Sequence, residues 1–343
     1  MKTNLMRVLN ELTFNPAKDS DIKRENANID GDTAMGTMLK YGSVSAKEFY
    51  EMYVLEERHA KAHKNGDIHI HDLDFLTLTT TCCQIDLLKL FHGGFSTGHG
   101  FLREPNDIAS YSALACIAIQ SNQNDQHGGQ SVPNFDYSMA EGVRKTYSHR
   151  YVQNIARALE LIANIDNADE TAKNIFNEIK EKYNIIPNLA NDSGYTEKEF
   201  EKLCEITDTE TAEKIQKFAV KNAQKETDRA TYQAMEALIH NLNTMNSRAG
   251  AQTPFSSINY GTDTSPEGRM VIKNVLLAQE AGLGNGETPI FPIHIFKIKE
   301  GINYNKDDIN YDLFKLACRV SAKRLSTPNL AHVLPCTLRD RKS

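Results

Sequence analysis

The chain has 343 residues, of which 40% are hydrophobic and 24% charged. At roughly 150 residues per domain this length suggests about two domains, and a single large barrel fits it equally well. Lysine and arginine number 39 against 45 aspartates and glutamates, without charge blocks, which disfavours general binding to nucleic acid or membrane surfaces. The sequence contains neither a signal-peptide core nor roughly 18 uninterrupted apolar residues of a membrane span. We therefore expect a cytosolic protein in which local groups bind any nucleotide.

The six cysteines lie at positions 82, 83, 116, 204, 318 and 336. They contain no Cys-x-x-Cys pair and no spacing typical of a disulfide framework, so reduced thiols are expected. Most of them fit the small hydrophobic role of a buried free cysteine. Cys82-Cys83 differs, because threonines precede the pair and Gln84 follows it at the expected end of a strand, where barrel enzymes place their chemistry.

In chain order, the sequence predicts a short helix over 33–41 and a second over 45–63 that ends before the turn signal Asn65-Gly66. An alternating strand is expected over 67–71. A further extended segment is expected over 77–81, leading into Cys82.

Long amphipathic helices are expected between Tyr147 and Thr244, where apolar residues recur with helical spacing. Thr196 and Glu199 fit a capping box at the start of one of them. A strand buried on both faces is expected over 289–299. Such a strand is typical of a parallel sheet covered by helices.

His69 and His71 lie two residues apart, hence on one face of the expected strand, as in some metal-dependent hydrolase barrels. The sequence offers no second cluster of histidine and aspartate at recognisable spacing. Hydrogen bonding within a loop is therefore the favoured interpretation. A hydrolase that uses both histidines is the alternative.

Two polar segments are candidates for ligand binding. Residues 123–130 place carboxamides around glycines, which suits either a sugar or base site or an ordinary polar loop. Residues 246–257 combine hydroxyls, Arg248 and backbone N–H groups near Gly250, the components of a phosphate site. The glycines of 282–286 precede a strand and do not open a helix, so we reject a Rossmann dinucleotide site.

Several motifs resemble, in one order, the anaerobic ribonucleoside triphosphate reductases. They are Gly66–Leu73 (GDIHIHDL), Cys82-Cys83 before Asp86-Leu87, Ser247–Phe255 (SRAGAQTPF) and Glu287–Pro292 (ETPIFP). The resemblance runs from about Arg24 to about Leu325.

This resemblance implies part of a ten-stranded α/β barrel with a central finger loop. Residues 1–325 would form an incomplete catalytic barrel, and about 147–244 a long helical insertion at the interface of a homodimer that binds deoxynucleotide and ATP effectors. Residues 326–343 do not continue the pattern, and we expect them to come from a frameshift or a split gene.

The resemblance also implies the reaction, reduction of ribonucleoside triphosphates for DNA synthesis. A radical-SAM activase installs a glycyl radical, which turns a finger-loop cysteine into a thiyl radical that takes the 3′ hydrogen of the ribose. A cysteine on the barrel wall donates hydrogen as the 2′ hydroxyl leaves as water, and formate is the final reductant.

Carried over to this chain, the wall cysteine is Cys82, with Cys83 as the fallback, and the substrate is held by Ser247, Arg248 and Gln252. The thiyl cysteine, the glycyl-radical motif and the zinc-binding cysteines have no counterpart in the sequence, so we expect no directly bound metal or cofactor and little activity from this chain alone. A nucleotide-binding regulatory module without chemistry is a further alternative.

Overall fold

The computed structural model describes residues 33–80, 82–248 and 251–324, the backbone of 329–332, and the single residues Met6 and Asn10. The helices are α1 (Ala34–Phe49), α2 (Glu57–Asn65), α3 (Leu87–Phe91), α4 (Ile108–Asp125), α5 (Phe135–Ala163), α6 (Ala168–Tyr183), α7 (Tyr195–Ile206), α8 (Thr209–Thr244), α9 (Pro266–Ala281) and α10 (Tyr311–Arg324). The strands are β1 (Cys83–Gln84), β2 (Phe95–Ser96), β3 (Phe101–Leu102), β4 (Gln130–Val132), β5 (Ser256–Tyr260), β6 (Ile293–Ile298) and β7 (Asn329–His332). Within this part of the chain, no helix is long and apolar enough to cross a membrane.

Five of the strands form one sheet, in the order β1-β4-β5-β6-β7. β1 runs parallel to β4, with Cys83 opposite Gln130. β6 runs parallel to β7, with Ile295 opposite Asn329. Parallel neighbours need long crossover connections, and helices supply them here. The predicted α/β fold class is confirmed.

The described residues divide into two compact units, each assembled from segments that are distant in sequence. The first unit contains 1–85, 117–131 and 241–257, and the second contains 86–116, 132–240 and 258–343. Strands β4 and β5 each begin in the first unit and end in the second.

Helix α1 opens the continuously described part of the first unit. The Thr33 hydroxyl caps it by accepting the Gly36 N–H at 3.0 Å, as expected of an N-cap threonine. The two helices predicted over 33–63 differ from those observed, since α1 runs through the break expected after residue 41 and continues into a π-helical turn, Tyr50–Val54. Gly66 ends α2 in the left-handed conformation at φ 82°, which agrees with the turn signal.

The strand predicted over 67–71 is wrong, because these residues form turns and irregular backbone. The Ile70 N–H, which a neighbouring strand would bind in a sheet, donates instead to His63 Nδ1 at 3.2 Å. Residues 77–80 are not a strand either. Thr79 is instead tied by its hydroxyl to the carbonyl of Asp125 at 3.2 Å, and the strand begins at Cys83.

Helices α5 to α8 confirm the helices predicted between Tyr147 and Thr244, and a buried core joins α5, α6, α7 and α8. The predicted stripe on α5 faces this core, with Ile155, Ala156 and Leu159 buried. The predicted capping box is wrong. Gly194 precedes α7 without a side-chain cap, and Glu199 is buried and accepts the Tyr151 hydroxyl at 2.6 Å.

The strand predicted over 289–299 is β6, which is shorter. His294 and Phe296 are buried on one face, whereas the other four residues of β6 are half-buried. The predicted burial of both faces is therefore wrong. The glycines of 282–286 form the connection from α9 to this strand, as expected. The tail that the sequence sets apart supplies β7, whose backbone extends the sheet beyond β6. Residues 325–328 and 333–343 lie outside the described part.

Candidate active site

Backbone hydrogen bonds between neighbouring strands bring three segments of the first unit together. The Cys83 N–H donates to the Gly129 carbonyl at 3.1 Å, and the Gln130 N–H donates to the Phe255 carbonyl at 2.9 Å. Segments 82–84, 129–131 and 255–257 therefore lie side by side, and each begins one residue before its strand, β1, β4 or β5.

These segments line a cavity of about 420 Å³, which we call the Cys82 cavity. Its lining residues are Cys82, Cys83, Gln84, Gly129, Gln130, Ser131, Phe255 and Ser257. Cys82 is exposed. The Phe255 ring is 42% exposed, so an aromatic surface accompanies the thiol. A cavity of this size is within the range that holds small ligands.

Cys83 has a different environment from its neighbour. It is half-buried, and the Asn122 side-chain N–H donates to its sulfur at 3.1 Å. Burial raises the pKa of the Cys83 thiol, whereas the hydrogen bond from Asn122 opposes that rise. The Cys83 thiol is therefore held within the protein in its protonated form, and Cys82 presents the accessible thiol.

The carboxamides of the predicted polar segment 123–130 are tied into a network. The Asn122 amide donates to Gln130 Oε1 at 2.8 Å and to Gln126 Oε1 at 3.2 Å. Gln126 in turn donates to the Thr80 hydroxyl at 3.0 Å. The network links the end of α4 to the residues before β1, so these amides stabilise the walls of the site.

The structure brings Ser247, Arg248 and Gln252 together, next to the loop that follows α4. Arg248 Nε donates to Gln252 Oε1 at 2.7 Å, and Nη1 donates to the carbonyls of Gln123 at 3.2 Å and Gln126 at 3.4 Å. The Ser247 hydroxyl donates to Gln123 Oε1. Burial lowers the pKa of Arg248. In this arrangement the guanidinium anchors one polar segment to the other.

Arg248 and Gln252 do not line the Cys82 cavity. They line a second cavity of about 540 Å³ together with Asp72, Phe75, His127 and one face of α1. The two cavities are lined by neighbouring residues of the same two chain segments. His127 and Gln252 line the second cavity, and Gly129 and Phe255 line the Cys82 cavity.

Asp72 and His127 contribute to this region, although no role for either was predicted from the sequence. Asp72 lies within hydrogen-bonding distance of His127 Nε2 at 3.2 Å and of His71 Nε2 at 3.3 Å. The Phe75 ring stacks on His127 with 3.9 Å between centroids. Asp72 belongs to the GDIHIHDL motif and His127 to the polar segment 123–130, but sequence spacing could not reveal that the two segments meet.

The histidine pair itself is arranged as part of a loop. The rings of His69 and His71 lie 5.8 Å apart between centroids, and Asp72 contacts the second of them. Among residues 33–80, 82–248 and 251–324, no group of three or more His, Cys, Asp or Glu side chains is placed to hold a metal ion.

The sheet contains parallel neighbours, and the exposed Cys82 lies directly before its strand β1, so the chain is an α/β protein with a candidate thiol site. A family model described as anaerobic ribonucleoside-triphosphate reductase matches residues 25–342. The chain belongs to this family, and the resemblance of the motifs is confirmed. The match continues past Leu325 through β7.

Curated relatives include the anaerobic ribonucleoside-triphosphate reductase of Enterobacteria phage T4, which is 29% identical over 317 residues, 90% of this chain and 42% of the relative. The enzyme of the same name from Escherichia coli (strain K12) is 26% identical over 311 residues, 90% of this chain and 35% of the relative. The chain thus spans less than half the length of either relative.

Two solved structures support the fold. One, described as an anaerobic ribonucleotide reductase, has a TM-score of 0.51 and 12% identity, and the match covers 95% of this chain and 43% of that one. The anaerobic ribonucleotide reductase from Thermotoga maritima in complex with dATP and CTP also has a TM-score of 0.51 and 12% identity, with 88% of this chain and 43% of that one covered.

Proposed function

We propose that this chain forms the wall of a ribonucleotide-reducing site, in which Cys82 is the hydrogen donor to the ribose of a ribonucleoside triphosphate. The observation that carries this proposal is the exposed Cys82 thiol in a cavity at the beginnings of β1, β4 and β5, in a chain that belongs to the reductase family. The overall reaction converts ribonucleotide and formate into deoxyribonucleotide, water and carbon dioxide.

In this reaction the residues of the chain bind and orient the sugar. Cys82 donates a hydrogen atom to C2′ as the 2′ hydroxyl leaves as water with one added proton, and formate then returns a hydrogen atom to the sulfur and is oxidised to carbon dioxide. The transfer to C2′ requires van der Waals contact between the sulfur and the sugar. The strand hydrogen bonds that fix segments 82–84 and 129–131 hold the thiol in place. The neighbouring Cys83 is fixed in the wall of the cavity, because the Asn122 side chain donates a hydrogen bond to its sulfur.

The reaction also needs a radical initiator. A glycyl radical, installed by a radical-SAM activase, supplies the thiyl radical that removes the 3′ hydrogen. We assign that radical chemistry to residues other than those of the Cys82 cavity.

We propose that the triphosphate extends toward Ser247, Arg248 and Gln252. An arginine has five N–H donors, and the contacts of Arg248 with Gln252, Gln123, Gln126 and His127 occupy four of them. One Nη2 hydrogen therefore has no acceptor among the described residues and can be donated to a phosphate oxygen. The adjacency of the two cavities along segments 127–129 and 252–255 supports a ligand that reaches from one to the other.

We assign homodimer formation and the binding of deoxynucleotide and ATP effectors to the helical region over 147–244. Support comes from the length of its helices, which leaves surface outside their shared core that a second copy of the chain can contact. The Thermotoga maritima reductase, which shares the fold, forms a complex with dATP and CTP.

The test is protection of Cys82 from alkylation. The chain is treated anaerobically with iodoacetamide, with and without ATP or CTP, and fragment mass spectrometry locates the modified cysteine. We expect nucleotide to slow modification of Cys82 and to leave unaffected the half-buried Cys318 of α10, which lies outside the region assigned to effectors. Measured nucleotide binding without protection of Cys82 would favour the regulatory module instead.

A further inference from the structure

We infer that Gly129 is a specificity-determining residue of the Cys82 cavity. Its missing side chain leaves the space between the Cys82 sulfur and the Phe255 ring in which the sugar lies. This inference rests on the proposed function, because that function supplies the sugar as the ligand. The inference adds one residue to the site, Gly129, and requires that position 129 carry no side chain, which the thiol chemistry does not by itself require.

The geometry at Gly129 shows what a side chain would do. A Cβ atom built there lies 3.3 Å from Phe255 Cδ1, 3.6 Å from Phe255 Cε1 and 3.9 Å from the Cys82 sulfur. The first of these contacts is tighter than ordinary van der Waals distance, and the last is an ordinary contact. One methyl group would therefore occupy the gap between the ring and the thiol.

Backbone conformation does not explain the glycine. Gly128 has a φ of 92°, whereas Gly129 is not among the residues with positive φ. An alanine could adopt the same backbone at 129, so the requirement for glycine comes from space. A glycine in a strand region that does not need a positive φ is one sign of a site that a ligand or another backbone approaches closely, and Gly129 directly precedes β4.

The position cannot move aside without breaking the strands. The Gly129 carbonyl accepts the Cys83 N–H, and the next residue donates its N–H to the Phe255 carbonyl. The Phe255 side chain, which is 42% exposed, is the partner that can yield. A methyl at 129 is therefore accommodated by a shift of the ring, and the fold is retained while the cavity narrows.

The chemistry of the ligand matches this shape. A sugar presents C–H bonds on one face, which pack on an aromatic ring, and the carbon that reacts must come into contact with the sulfur. A methyl group displaces the ligand by about the length of one C–C bond, roughly 1.5 Å. Misplacement by about 1 Å is enough to cost roughly 100-fold in reactions that depend on positioning.

The experiment compares Gly129→Ala with wild type in the alkylation assay, with the nucleotide concentration for half-protection of Cys82 as the readout. We expect that concentration to rise about tenfold to a hundredfold, a loss of about 1.4–2.8 kcal/mol in binding free energy, because the added methyl group displaces the ligand from the sulfur. Gly100→Ala is the matched control, because a Cβ at Gly100 meets nothing within 4 Å, and half-protection should be unchanged.

The outcomes separate the two proposals. If nucleotide fails to protect Cys82 in the wild-type chain, the proposed function is wrong. If protection occurs in wild type with the same half-protection concentration in Gly129→Ala, the role of Gly129 is wrong. If Gly129→Ala does not unfold cooperatively, Phe255→Leu provides the test. Loss of the flat ring should raise the half-protection concentration about tenfold. An unchanged half-protection concentration would overturn the inference.

Discussion

The two adjacent cysteines look equivalent in the sequence, and a single long-range contact distinguishes them. Asn122 lies 39 residues from Cys83 and donates to its sulfur. No local pattern could reveal that contact, since it depends on α4 lying beside β1. The threonines and Gln84 around the pair predicted a location at the end of a strand over 77–81, whereas Cys82 directly precedes β1, which begins at Cys83 and is only two residues long.

Glu199 is the residue with the clearest consequence for pH. Burial raises the pKa of its carboxyl to about 7, although hydrogen bonds from Tyr151, Gln216 and Tyr195 oppose the rise. Between the ordinary value of 4.5 and 7, the unfolded chain loses a proton that the folded chain keeps. The stability contributed by the neutral carboxyl is therefore lost as the pH rises through this window.

We expect the wild-type protein to lose about 2–3 kcal/mol between pH 5 and 8 relative to Glu199→Gln, which cannot titrate. Urea unfolding of both proteins at several pH values measures the difference. A wild-type minus variant difference that stays constant with pH would contradict the burial of a neutral carboxyl.

At the scale of elements, helices were predicted better than strands. Periodic apolar residues repeat many times in the helices over 147–244, so the pattern is long enough to be distinctive. The strands β1 and β4 have two and three residues, too few for an alternating pattern. The extended segments predicted over 67–71 and 77–81 failed because side-chain hydrogen bonds to the backbone determine the conformation there.

Helix α5 packs so closely on α4 that one glycine is fixed by space. A Cβ at Gly142 would lie 2.9 Å from ring atoms of Tyr111, a ring that is itself buried against Phe91. Alanine improves helix propensity by ~1 kcal/mol, but overpacking costs ~1–3 kcal/mol. We expect the cost to exceed the gain, so Gly142→Ala should destabilise the protein by up to about 2 kcal/mol in chemical unfolding.

Gly42 of α1 is the matched control. A Cβ there meets nothing within 4 Å, so only helix propensity acts, and Gly42→Ala should stabilise the protein by about 0.5–1 kcal/mol. Equal effects of the two substitutions would mean that α4 and α5 are not in close contact at Tyr111.

At the scale of the whole molecule, the segments that line the candidate site come from three distant parts of the sequence. The family followed from several motifs in one order, and the fold class followed from the resemblance to that family. The separation of Cys82 and Arg248 into neighbouring cavities did not, because it depends on which strand ends adjoin and on how the loop over 123–130 folds between them.

Strand β7 covers the edge of β6, which predicts the effect of a truncation. Removal of residues 325–343 would expose the backbone of Ile295–Ile298, which now pairs with β7. An unpaired edge beside apolar side chains is a template for aggregation. We expect the truncated chain to bind hydrophobic dyes and to form oligomers on size exclusion.

Removal of residues 333–343 alone retains β7 and is the control for this truncation. It should behave as wild type in both measurements. A monodisperse, dye-free protein that ends at Arg324 would show that pairing with β7 does not protect the sheet.

Asp136 near the start of α5 accepts three successive backbone N–H groups, those of Gly261, Thr262 and Asp263, at 2.8, 3.0 and 3.0 Å. In genetic terms, the conformation of the loop after β5 therefore depends on a single codon, the one for Asp136. Because all three donors belong to the main chain, no substitution within 261–263 can restore what a change at Asp136 removes. Second-site suppressors of an Asp136→Ala allele should therefore map outside that loop, and true revertants should dominate any selection.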